Sequence, residues 1–362
     1  MHYGLIMEGD YRYGHSEEEA FDEAFAMVDA AENGGLDGVW LAERHFAAPR
    51  GPLDAMGAGI PSVVSVPLIM SAAIAARTDR IRIGAAVNVL PLNHPVRVAE
   101  EVATVDQISG GRVDFGVGRS GFARAYKGYD IPYGESRERF QENLEIILAA
   151  WNNERFWYSG KYYDLHDVCV IPKPRQKPHP PLRIAATTKE TFPQVGRLGY
   201  PIFVGLRGLD RPALVELLEE YREAWKGAGH PGNGDVYIRI PIFVARTKHE
   251  AYNDAEESTM RSYQRLAQNF SLSASSVGTV ASEERIALGE RLAAVTYEEL
   301  IRDRLAYGGP EDVIKLLKVI TEEMGLSGIV AEANVGGLIP RDKVAASIDL
   351  FCNEVVPGLR KG

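Results

Sequence analysis

The feature that most limits what this chain can fold into is a pattern that recurs eight times: a short apolar run of strand character, then a longer stretch of helical period. The runs fall near residues 3–7, 38–42, 81–87, 113–117, 182–186, 201–204, 236–245 and 328–331. Helices are expected over about 16–33, 66–77, 95–108, 135–151, 190–198, 211–228, 248–267, 310–324 and 341–355. The first helix opens with Ser16-Glu17-Glu18-Glu19, a capping box, and stops at Gly34-Gly35. A helix between two strands brings the chain back to the same edge, so the strands pair in parallel. Eight such units are the count of a closed (β/α)8 TIM barrel, a fold that commonly needs ~250 residues or more. All 362 residues therefore read as one barrel domain, with insertions at about 152–181 and 270–296.

The first insertion carries Phe156 to Tyr163, aromatic arms around Ser159-Gly160, which predicts a hairpin closed by the Pro-rich run 172–181. The second is rich in Ser, Ala and Gly with weak periodicity, and reads as a mobile excursion able to act as a lid. Segments 47–61 and 121–134 read as loops over the top of the fold.

Charge narrows the partners. The formal net charge is −10 and no run of five Lys or Arg occurs, so nothing marks a nucleic-acid or anionic-membrane surface. Two cysteines, Cys169 and Cys352, do not make a disulfide framework, and a reducing cytoplasm fits. No secretory leader and no 18-residue apolar span is expected. HExxH, paired-Cys and EF-hand patterns are missing, so no bound metal is expected; GxSxG is missing too, and Gly116-Val117-Gly118 does not continue as GxGxxG.

The richest stretch is 80–120. A buried strand leads through Pro91-Leu92-Asn93-His94-Pro95 into a helix ending near Ile108, then into a second strand that closes with Gly116-Val117-Gly118-Arg119-Ser120. Small residues and a fixed cation at the carboxyl end of a parallel strand suit an anionic ligand. Further on, Ala186-Thr187-Thr188-Lys189-Glu190-Thr191 joins a strand to a helix start, where hydroxyls and free N–H groups can cradle an anion or simply cap the helix. Glu43, Arg44 and His45 end the second strand, as a proton-handling group or as a structural ion pair.

Taken in order and at these spacings, Trp40-Leu41-Ala42-Glu43-Arg44-His45-Phe46, IGAAVNVLP (83–91), HPVR (94–97), DQISGGR (106–112), FGVGR (115–119) and the close Glu354 to Leu359 resemble the bacterial luciferase-like, flavin-dependent monooxygenases. The resemblance implies a barrel that takes reduced FMN as co-substrate, with O2, and oxygenates a small organic substrate. A separate flavin reductase would supply the reduced FMN, and a homodimer is expected, packed through the aromatic hairpin. It implies a non-prolyl cis peptide at Ala85-Ala86 beneath the flavin ring. Arg119, Arg137 (with Arg139 as the rival), Thr188 and Thr191 would hold the phosphate, beside Ala186 and Thr187, and Asn88 and Leu90 would line the pocket. His45 becomes the catalytic candidate, with Glu43 beside it and Arg44 as an electrostatic group, since Arg44 replaces the first of two histidines in the luciferases. The reactive cysteine of those enzymes is Gly118 here, which leaves room above the ring. Two rival readings remain: a deazaflavin-dependent hydride-transfer enzyme, whose longer anionic tail needs more cations than Arg119 and Arg137 supply, and a non-catalytic flavin-binding protein on the same barrel.

Overall fold

A computed structural model describes residues 1–11, 14–46, 61–274 and 282–361. The expected loop at 47–61 falls almost wholly outside them. Eight parallel strands form the framework: β1 (His2–Met7), β2 (Gly38–Leu41), β3 (Arg82–Ala85), β4 (Val113–Gly118), β5 (Leu182–Ala185), β6 (Ile202–Gly205), β7 (Val236–Val244) and β8 (Gly328–Glu332). Each pairs with its sequence neighbours, and β8 returns to β1 at His2↔Gly328, so the sheet is a closed barrel.

Helices cover the outside because each buries one apolar stripe on the strands. The helix Glu17–Asn33 starts at Ser16 with both halves of the capping box in place, and sinks Ala20, Ala24, Val28 and Ala31. These are the apolar positions of a 3.6-residue period.

Inside the barrel, residues follow the period of two that strands impose. A cluster inside the barrel joins Ile6, Trp40, Phe203, Tyr237 and Val330, with Ala86 against it. Trp40 fits this cluster because its neighbour on β3 is Gly84, where a Cβ would lie 2.3 Å from the indole. Below them, Arg82 and Arg183 grip Asp114 at 2.6 and 3.2 Å, Arg183 also reaches Asp235 at 2.8 Å, and its guanidinium stacks 3.6 Å above Tyr237.

His2 plugs this lower end, its Nε2 accepting from the Trp40 indole N–H at 3.2 Å. Burial holds its imidazole down to about 4, from 6.5. A histidine that is buried neutral gives full support above pH 6.5 and loses it as pH falls towards 4, a loss on the order of 3 kcal/mol over that window. Urea midpoints are therefore expected to drop between pH 7 and 4.5, and to drop less in His2→Gln. Parallel profiles for the two proteins would remove His2 from the account.

Three sequence expectations change. Segment 270–296 is largely helical: Lys248–Ala274 and Ser282–Ala294 pack against each other, with 275–281 outside the described residues. Gly289 lies so close to the first helix that a Cβ would sit 2.8 Å from Ser271 Oγ, and contact between small residues leaves no apolar stripe for periodicity to detect. The loop 121–134 contains the short helix Ala123–Gly128 and a 3-10 turn at Tyr133–Glu135. The hairpin pairs Phe156–Ser159 with Asp164–Val168, so its second arm begins after Tyr163, because Glu142 takes the N–H groups of Tyr162 and Tyr163 at 3.0 and 2.9 Å. Two elements were not anticipated, the helix Tyr297–Asp303 and the strand Ala306–Gly308, which pairs with β7.

Candidate active site

The carboxyl ends of the strands bring most of the singled-out residues to one mouth, in three arcs. The first lies over β2 and β3. Glu43 is buried, and one carboxylate oxygen accepts from His45 Nε2 at 2.8 Å while the other accepts the Val89 N–H at 2.8 Å. With Nε2 committed to Glu43, Nδ1 is the basic nitrogen, and it faces the Tyr129 hydroxyl at 3.4 Å. Burial, and then the charge of Glu43, raise the Tyr129 pKa above 10.0, so the phenol keeps its proton. An oriented imidazole with one free nitrogen beside a hydroxyl is a group built to take and return a proton.

The cis bond lies one peptide further along than expected, at Ala86-Val87. Ala86 is still in register with β2, its N–H donating to Leu41 at 2.8 Å, so the departure from the strand falls on the next peptide. The space expected from Gly118 is also taken. A Cβ there would sit 2.6 Å from Val87 Cγ2, so the glycine makes room for Val87. Asn88 is buried with its amide on the Gly116 carbonyl at 3.3 Å, and Leu90 joins the main core instead of lining a pocket, because its 3-10 turn packs inward against the helix Ser136–Asn152.

The second arc lies over β4 and β5. Arg119 is partly buried, and among the described residues no carboxylate pairs with it. Burial lowers its pKa, and Arg137 and Arg285 lower it further. Arg137 and Arg139 are now separable. Arg139 is neutralised by Glu135 at 2.8 Å and stacks over Tyr162 at 4.2 Å, whereas Arg137 is exposed and, among the described residues, donates only to the neutral Gln194 at 2.8 Å. Gln194 belongs to the helix Thr191–Leu198, so that contact draws Arg137 to the segment carrying Thr188 and Thr191, whose hydroxyls lie 2.9 Å apart. Thr187 is exposed at the bend and Ala186 is buried beneath it. Glu190 begins the helix without a side-chain cap, so the threonines are not spent on capping. Cations without counter-ions beside hydroxyls make an anion cradle. Arg285, from the helix Ser282–Ala294, adds a third guanidinium, its Nη2 on the Tyr133 hydroxyl at 2.9 Å.

The third arc, over β6, β7, β8 and β1, was not anticipated. Glu8 Oε1 accepts from Arg44 at 2.8 Å, from Arg207 at 3.4 Å and from Arg239. Glu332 binds Arg239 through both oxygens, at 2.7 and 2.6 Å, and Arg207 at 3.2 Å. Arg44 is thus drawn away from His45 towards β1, and its guanidinium lies 5.1 Å from the centre of the Phe122 ring. The guanidiniums hold Glu8 ionised far below the usual carboxylate range. A signal was present: Glu8, Arg207, Arg239 and Glu332 stand at the same every-second positions as Ile6, Phe203, Tyr237 and Val330, which point inward.

The family model for luciferase-like monooxygenases matches residues 1–328. The chain is 24% identical to the oxygenase component of a flavin-dependent trigonelline monooxygenase from Acinetobacter baylyi, over 94% of this chain and 91% of that one. It is 32% identical to an F420-dependent glucose-6-phosphate dehydrogenase from Kineococcus radiotolerans, over 59% and 61%. Against two uncharacterised Sinorhizobium fredii proteins, each 30% identical, it spans about half their length, 54% and 48%. Among solved structures, a Streptomyces bottropensis monooxygenase superposes with a TM-score of 0.78 at 23% identity, covering 99% of both chains, which establishes the fold. A barrel of this topology, matched by that model over residues 1–328, belongs to the luciferase-like monooxygenase family, whose members include flavin-dependent monooxygenases and F420-dependent oxidoreductases.

Proposed function

We propose that this chain is the oxygenating component of a two-component FMN-dependent monooxygenase, with a separate reductase supplying reduced FMN. Arg119 carries the reading: a partly buried cation without a carboxylate partner among the described residues fits a phosphate. Arg137, Thr188, Thr191 and the N–H groups around Ala186 and Thr187 would complete the phosphate contacts. Ala85, Ala86, Asn88 and Gly118 would support the ring. Bound there, reduced FMN would supply the electrons for O2 reduction. His45, fixed by Glu43, would hold or move a proton at Nδ1, and Arg44 would contribute its field from the Glu8 side. Near full-length similarity to the Acinetobacter oxygenase component supports the assignment. Trp157 and Ile171, both strongly exposed on and beside the hairpin, offer an apolar surface for the expected homodimer.

One observation favours a second reading. Arg285 brings a third cation to the phosphate arc, which a deazaflavin with a longer anionic tail would use, and the Kineococcus relative is F420-dependent by name. Anaerobic titration with reduced FMN, oxidised FMN and reduced F420, followed by an air pulse, separates the cases. Preference for reduced FMN with O2-dependent reoxidation supports the monooxygenase. Preference for F420 without oxygen uptake moves the chain to hydride transfer, and tight binding of oxidised FMN without turnover makes it a flavin-binding protein.

A further inference from the structure

Among the described residues, the ion pairs of the third arc join three guanidiniums, Arg44, Arg207 and Arg239, to two carboxylates, Glu8 and Glu332, so positive charge is in excess there. The arc is also deeply placed, with both glutamates and all three arginines largely buried. A buried surplus charge is costly unless an anion completes it. The donors left over point to where that anion would sit. Arg44 Nε and Arg207 Nε are buried without a hydrogen-bond partner, and Arg207 Nη2 is satisfied by the Ser262 hydroxyl. Tyr263, 1% exposed, also has a hydroxyl without a partner. Its pKa is pushed up to about 12, chiefly by burial, and Arg207, Arg304, Glu332 and Arg239 all act on it. Arg304 is itself engaged, with Asp210 at 3.4 Å and the Arg207 carbonyl at 3.2 Å. Arg44 and Arg207 both reach Glu8 Oε1, and Tyr263 lies within the field of Arg207 and Glu332, so a protonated phenol and two guanidinium Nε–H groups remain without partners around the two carboxylates.

We propose that this network binds the carboxylate of an anionic substrate, across the barrel mouth from the Arg119 arc. The assignment rests on the flavin reading for what happens to the substrate, but the recognition itself does not need the flavin. A flavin phosphate is the other anion at hand, and it is better served over β4 and β5, where Arg119 and Arg137 have no counter-ion among the described residues and two threonine hydroxyls stand beside them. Over β6 to β1, two carboxylates already occupy most donors, leaving capacity for a single negative charge. A carboxylate meets that condition and a dianion exceeds it.

The test uses the full chain, with and without anaerobic reduced FMN, and two matched pairs of probes: benzoate with benzamide, and octanoate with octanamide. Calorimetry is expected to show at least one carboxylate binding tenfold or more tighter than its amide. In Arg207→Gln that preference should shrink to less than twofold. Arg44→Gln, which leaves Glu8 held by Arg207 and Arg239, should reduce it at least threefold and serves if Arg207→Gln does not fold. Tyr263→Phe should weaken the carboxylate three- to tenfold and leave the amide unchanged. Equal binding of acid and amide by the wild type, no binding of either, or a preference that survives in both arginine variants would overturn the proposal. Because the same titrations report retention of reduced FMN, carboxylate selectivity without flavin binding would strike only the flavin reading, and flavin binding without selectivity only this one.

Discussion

Replacing Arg119 with alanine is expected to weaken reduced FMN by about 1.5–3 kcal/mol, roughly 10- to 150-fold, the range of a charge-assisted contact to phosphate. The size follows from the surroundings of the side chain. Burial and two neighbouring guanidiniums already make its charge unfavourable, and no carboxylate among the described residues offsets it. A bound dianion would be the group that repays this, so the interaction is screened less than a surface pair would be. Two controls isolate the phosphate. Reduced riboflavin should bind wild type and variant alike, and the variant without ligand should be as stable as wild type or more so, since an uncompensated buried charge has gone. Equal FMN affinity in the two proteins, read by anaerobic fluorescence titration, would falsify the phosphate assignment.

His45→Ala is expected to slow single-turnover product formation by about 10²- to 10⁴-fold, the usual contribution of a positioned acid or base. Affinity for reduced FMN should stay within about twofold, because the imidazole contacts Glu43 and Tyr129 and not the phosphate arc. Glu43→Ala should give part of the same loss by another route. It frees the imidazole to rotate and removes the acceptor of the Val89 N–H, the link that ties β2 to the strand segment after β3. Tyr129→Phe removes only the partner of Nδ1 and should cost less than either. Rapid-quench measurement with a substrate that the wild type oxygenates reads all three. A His45→Ala protein that turns over normally would reduce the Glu43 pair to a structural contact.

How far the chain could be read in advance depended on the range of the interactions involved. Strand and helix periods, the capping box at Ser16 and the glycine stop at Gly34 are local, and they place the eight barrel strands within a few residues of where they lie. Arg119 follows the end of β4, and Thr188 and Thr191 lie in the turn and at the helix start after β5, so their place at the mouth was legible because the carboxyl ends of parallel strands share one face, while the phosphate role given to them rests on the family resemblance. What sequence alone determined, then, was the order of the eight barrel strands and the closure of the barrel. Tertiary structure decided the rest. Arg137 separates from Arg139 only once Glu135 is seen to neutralise one of them. The cis bond at Ala86-Val87 and the occupation of Gly118's space by Val87 depend on register between β2, β3 and β4. The network of Glu8, Arg44, Arg207, Arg239 and Glu332 contains a direct bond between residues 231 positions apart, Glu8 and Arg239. Alternation along the strands marks these positions as inward and Arg44 stood out beside His45, but which charge meets which is settled only by barrel closure, because electrostatic energy is set by distance in space, which a linear pattern does not contain.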